Sequence, residues 1–150
     1  ATLAADHALG MLRAGADDWD PRSGRLGLRR AIAALVTLYA ESSPFFSLWE
    51  VASHLDERLA DLRRGFEGQF RSGFAHKFRI GMELGVLRPD LDPTEVARAM
   101  NLMVQSYCHD VFVVSARQGE PTPDPDDVID LLTALWADAI LLREQSSPPA

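Results

Sequence analysis

Residues 92–116, DPTEVARAMNLMVQSYCHDVFVVSA, and 124–143, DPDDVIDLLTALWADAILLR, decide how the rest of the chain is read. Each opens on an aspartate able to cap a helix, a proline suited to a first helical position, and acidic residues at the positive end of the helix dipole. In the first stretch Val96, Met100, Met103, Tyr107, Val111 and Val114 recur at the spacing of one helix face, while Leu102, Phe112 and Val113 stand off it. In the second, Val128, Leu132, Leu135 and Ala139 share a face, and Ile129, Leu131, Trp136 and Ile140 spread round the remainder. Gly119, Pro121 and Pro123 separate the two helices.

A surface helix needs one apolar stripe, and this pair presents two. Either both helices are central within one chain or their outer sides meet a partner chain. A helical chain of 150 residues has few other elements with which to wrap both, which favours a homodimer seam.

Upstream, residues 2–16 read as the inside of a helix, with Leu3, Leu9, Met11 and Leu12 among Asp6, His7 and Arg13. A linker from Ala16 to Pro21 follows, pinned to the core by Trp19, and Ser23 is a possible cap for a helix over about 23–42. Ser43 and Pro44 start a short aromatic segment, Phe45 to Trp49, and a bend falls near Ser53 or His54. The long helix that runs from there to about Leu84 has the stripe Leu55, Leu59, Leu62, Phe66, Phe70, Phe74 and Phe78. Gly65, Gly68 and Gly73 each cost this helix about 1 kcal/mol relative to alanine, which implies either close approach of another helix or space left beside the rings. Gly85 and Pro89 close it. Valine and isoleucine follow helical rather than alternating patterns, so the chain reads as one all-α domain over 1–150, with a flexible Ser- and Pro-rich tail from 144.

Hydrophobic residues at 47% and charged residues at 25% describe an ordinary globular chain. No stretch approaches the roughly 18 apolar residues of a membrane span, and residues 1–17 lack the order of a signal peptide. The single cysteine, Cys108, permits no internal disulfide, and a reducing cytoplasmic interior is the expected home. A net charge of −7 argues against direct contact with nucleic acid, and the arginines at 22, 25, 29 and 30 and at 63, 64 and 71 read as solvated helix faces.

Catalytic signals are absent. His7, His54, His76 and His109 share no ligand spacing, and neither a nucleophile elbow nor a phosphate loop occurs. Cys108 is most simply a small buried hydrophobe, with a reactive thiol as the alternative. No metal and no cofactor is expected. What remains is a convergence of wide side chains, Phe45, Phe46, Trp49, Phe66, Phe70, Phe74, Met100, Met103, Tyr107 and Trp136, with Asn101 beside them. Such a set makes either an apolar chamber for a small molecule or a packed core.

The run LGVLRPDLDPTEVARAM, residues 84–100, resembles the turn between the third-last and second-last helices of TetR-family transcriptional regulators. Asn101-Leu102-Met103, then Val128 to Leu132 and Leu135-Trp136, is similar to the branch of the mycobacterial ethionamide-resistance regulator. The likeness is sharpest over about residues 66–140. It implies an orthogonal bundle of about six helices, the last two forming a four-helix bundle with a second copy, and a DNA-binding head upstream through which alone DNA would be touched. It also implies a small apolar or aromatic effector held by Phe70, Phe74, Asn101 and Trp136, to which the convergence of wide side chains adds Met103 and Tyr107, with Trp49 and Phe66 nearby. Asn101 would be its polar anchor and Trp136 would lie near the channel floor. Val104 stands where that branch has a second asparagine, so the polar anchoring is thinner or moved. The dimer seam would be built from Leu102, Phe112, Val113, Leu131, Leu135 and Ile140. The competing reading is a helical protein–protein interaction module without a small-molecule ligand.

Overall fold

The computed structural model describes residues 19–142. The helix expected over 2–16 and the tail from 144 lie outside them. Among the described residues the chain is an all-α bundle of five main helices: α1 (Gly24–Glu41), α2 (Ser43–Leu55), α3 (Glu57–Glu83), α4 (Pro93–Cys108) and α5 (Pro125–Ile140). A single 3-10 turn, Pro21–Ser23, precedes α1. A π-helical segment, His109–Val114, carries α4 on to a last turn at Ser115–Arg117.

The caps show which local signals act. Asp92 accepts hydrogen bonds from the Thr94 and Glu95 amides at 2.9 and 3.1 Å, and Asp124 accepts from Asp126 at 2.9 Å, as the sequence leads one to expect. The bend before α3 is held instead by Asp56, which accepts from the Arg58 amide at 2.8 Å. Ser23 does not cap α1, because its hydroxyl turns back to the Asp20 carbonyl. Gly85, at φ +73°, ends α3 in a Schellman motif: its amide reaches the Met82 carbonyl and that of Val86 reaches Gly81. Gly119, at φ +71°, repeats the pattern with Ala116 and Ser115.

The core gathers round α1, whose Leu28, Ile32, Leu35, Val36 and Leu38 are buried. α5 lies along α1, and α4 lies along α3 while also touching α1. The two closing helices therefore have different principal neighbours. The loop after α3 is tied to the end of α5: the Arg88 amide donates to the Ile140 carbonyl at 2.9 Å and its guanidinium to that of Ala139 at 3.2 Å. A cation there also meets the negative end of the α5 dipole.

The buried stripe of α4 is Ala97, Met100, Asn101, Val104 and Cys108, rotated from the large apolar residues that mark the sequence pattern. Met103 and Tyr107 are exposed. Apart from Met100 the inward side chains are small or medium-sized, and they face α3 and α1. Past Cys108 the wider π turn shifts the register and carries Phe112 and Val113 inside. α5 buries Val128, Ile129, Leu132, Thr133, Trp136, Ala137 and Ile140, leaving Leu131, Leu135 and Ala139 outward.

Candidate functional site

The stripe of α3 divides in two. Toward its C-terminus Phe74 and Phe78 are core. Phe74 stacks on Trp19 with centroids 4.9 Å apart and meets Trp136 edge-on at 5.8 Å. Toward its N-terminus Leu62 is exposed, and a Cβ added at Gly65, Gly68 or Gly73 would meet nothing within 4 Å. Close approach of another helix is therefore not what these glycines serve among the described residues.

That open half faces a cleft of about 420 Å³ where α1, α2, α3 and α4 converge. Its aromatic wall is Tyr39, Phe45, Phe46, Trp49 and Phe66, joined by Leu102. The rings brace one another: Tyr39 stacks on Phe46 with centroids 4.1 Å apart, and Phe45 stacks on Trp49 at 5.7 Å. Burial pushes the Tyr39 phenol upward, so it stays protonated.

The rest of the lining is polar, with Glu50, Arg63, Glu67, Gln105, Ser106 and His109. Arg63 Nε donates to Glu67 Oε1 at 3.1 Å within one helix face. Glu50 clamps α2 to the π segment and the turn beyond it. His109 Nε2 donates to its Oε2 at 2.8 Å, and Arg117 Nη2 donates to the same oxygen at 3.0 Å. Desolvation pulls the Glu50 carboxyl upward, but the hydrogen bonds and charges of His109 and Arg117 outweigh it and hold the group below its ordinary range.

The residues singled out from sequence fall into four places. Trp49 and Phe66 line the cleft. Phe74 and Trp136 sit in the core, with Phe70 packed against it and Asn101 buried at 4% exposure, and none of the four lines the cleft. Met103 and Tyr107 face outward. Among the positions expected at a seam, Leu131 and Leu135 are outward at 43% and 49% exposure and Leu102 edges the cleft, whereas Phe112, Val113 and Ile140 are enclosed within the chain.

Sequence reasoning passed over Glu50, although it is the lone acidic residue of the apolar helix Ser43–Leu55. That isolation was the available signal. Cys108 is fully buried, and burial pushes its thiol up to about 12, which suits the inert reading. Among the described residues no cluster of three His, Cys, Asp or Glu side chains is arranged to hold a metal ion. Nor is any single described helix long and apolar enough to cross a membrane.

The fold and cleft define a class: an all-helical domain with an aromatic pocket, of the kind that holds a small molecule or a partner's side chains. No family model matches the chain, and no curated protein matches it.

Proposed function

We propose that this chain is the effector-sensing and homodimerisation domain of a TetR-like transcriptional regulator, with its ligand in the cleft between α1, α2, α3 and α4. The observation that carries the reading is the cleft itself, lined by five aromatic rings together with polar side chains beside a π-helical segment. π-Helical turns occur often at functional sites. The resemblance over residues 84–100 supports it, since that stretch forms the tied loop from α3 into α4.

In this reading a ring-bearing molecule enters beside Trp49 and Phe66. It shifts α2 against the π segment through the Glu50 clamp. The shift alters the spacing of two DNA-binding heads carried by the dimer, to the extent that the ligand prefers one spacing. Leu131 and Leu135 on α5 meet their counterparts in the second copy. Transcription is then controlled, as a repressor, by release from DNA, and the domain performs no catalysis.

Isothermal titration of the purified chain with 2-naphthylmethanol tests the site. Trp49→Ala and Phe66→Ala should each weaken binding about tenfold or more, as loss of a buried aromatic contact does. Met103→Ala should leave it unchanged. Binding indifferent to both cleft variants contradicts the placement.

A second reading, an interaction module, draws on the apolar corner of α2 and α3, where Leu48, Val51, Leu55 and Leu62 are exposed. Leu55→Lys distinguishes the two, because it removes a protein contact while leaving titration with the naphthyl alcohol intact.

A further inference from the structure

The cleft's polar lining narrows the chemistry of what it holds, on the reading that it is the ligand site. Glu50 receives both of its partners on one oxygen, Oε2. No hydrogen bond from a described residue reaches its other oxygen, Oε1, and the residue lines the cleft beside Trp49. Arg63 is committed to Glu67 and Arg117 to Glu50. The acidic and basic side chains of the lining are thus paired with one another, Arg63 with Glu67 and His109 with Glu50, and Arg117 reaches Glu50 from beside the cleft.

An anion would find no uncommitted cation among these groups, since Arg63 is held by Glu67 and both His109 and Arg117 by Glu50. A wholly apolar molecule would strip water from Glu50 and Glu67 and return no hydrogen bond, which is costly. A cation attached to a flat ring meets neither objection. Its ring lies among Phe45, Phe46, Trp49 and Phe66, its charge is drawn to the tryptophan face, and its N–H groups donate to the unused carboxylate oxygen.

We propose that the ligand is a flat aromatic monocation, an aryl ammonium or amidinium, whose charged nitrogen binds Glu50 Oε1. Glu50 is then both the recognition group and the clamp on the π segment. Ligand binding therefore acts on the contact that joins α2 to His109 and Arg117, because the hydrogen bonds those residues donate to Oε2 draw charge from the same carboxylate that Oε1 offers the ligand.

The test is calorimetric titration of the chain with three probes sharing one ring system: 2-naphthylmethylamine, 2-naphthylmethanol and 2-naphthoate. The amine should bind about tenfold or more tighter than the alcohol, the value of a charge-assisted hydrogen bond, and the naphthoate weakest. Glu50→Gln should bring amine and alcohol together. Arg117→Gln, which removes a charged donor to the same carboxylate at an exposed position, should widen the gap between them. That second variant keeps the test sharp if Glu50→Gln loosens α2, because a purely structural role predicts no gain from it. Equal binding of amine and alcohol, with neither variant changing their ratio, overturns the cationic assignment and leaves the cleft as a ligand site. Binding of none of the three overturns both.

Discussion

Thr133 Oγ1 and Trp136 Nε1 are buried, on residues 2% and 1% exposed, and neither has a hydrogen-bond partner among the described residues. A buried hydroxyl without a partner carries its desolvation penalty uncompensated. Thr133→Val keeps the shape and removes that group, so it should raise stability to urea by about 1 kcal/mol. A loss of stability would mean the hydroxyl has a partner. Glu50 gives a prediction in pH. Its carboxyl is held below 4.5, so the clamp contributes fully above the ordinary carboxylate range and is lost as pH falls through the lowered value. Stability followed from about pH 5 to pH 3 should therefore fall less steeply in Glu50→Gln than in the wild type. Equal slopes would show that the His109 and Arg117 contacts contribute nothing in solution. Cys108, its thiol raised to about 12, should resist iodoacetamide in the folded chain and react only on unfolding.

Among the elements, the α3 terminus is tightly constrained. A Cβ at Gly81 would lie 2.4 Å from Leu87 Cδ1 and 2.6 Å from its Cγ, with Pro21 Cβ at 3.0 Å. Leu87 is itself buried, so it has little room to yield. Gly81→Ala should cost about 1–3 kcal/mol by overpacking, despite the better helix propensity of alanine, measurable by thermal melting. Elements and stops were legible because their signals are local: Asp92, Asp124, Gly85 and Gly119 act within four residues of themselves. Faces were less legible. Helical spacing of apolar residues runs the stripe of α4 through Met103 and Tyr107, yet the inward face continues from Met100 through Asn101, Val104 and Cys108, because a polar or small residue can be buried where α4 meets two helices. A π turn has no periodic signature of its own, so the greasy sequence Val111 to Val114 looked two-sided when a register shift had turned Phe112 and Val113 inward. The aromatic convergence was legible as a feature. Which rings bound open space depended on the long-range meeting of α1 to α4, which no local pattern encodes.

At the scale of the whole molecule, the outward residues of α5 bear on association. Leu131 and Leu135 lie one helical turn apart and are both roughly half exposed. The double variant Leu131→Glu with Leu135→Glu should sediment as a monomer with unchanged helix content, and the wild type as a dimer. A wild-type monomer at high concentration would remove the proposed scaffold for paired DNA-binding heads. Val113 cannot serve in such a test, since it is enclosed and a charge there would unfold the chain.

The site itself is addressed most directly by the indole N–H resonances of the three tryptophans in a ¹⁵N-labelled sample titrated with 2-naphthylmethylamine. Trp49 lines the cleft, while Trp19 and Trp136 lie in the core against Phe74. The account predicts that the Trp49 signal moves with saturation and the other two hold still. Movement of Trp136 with Trp49 unchanged would place the ligand in the channel that the regulator resemblance suggests and would contradict the cleft.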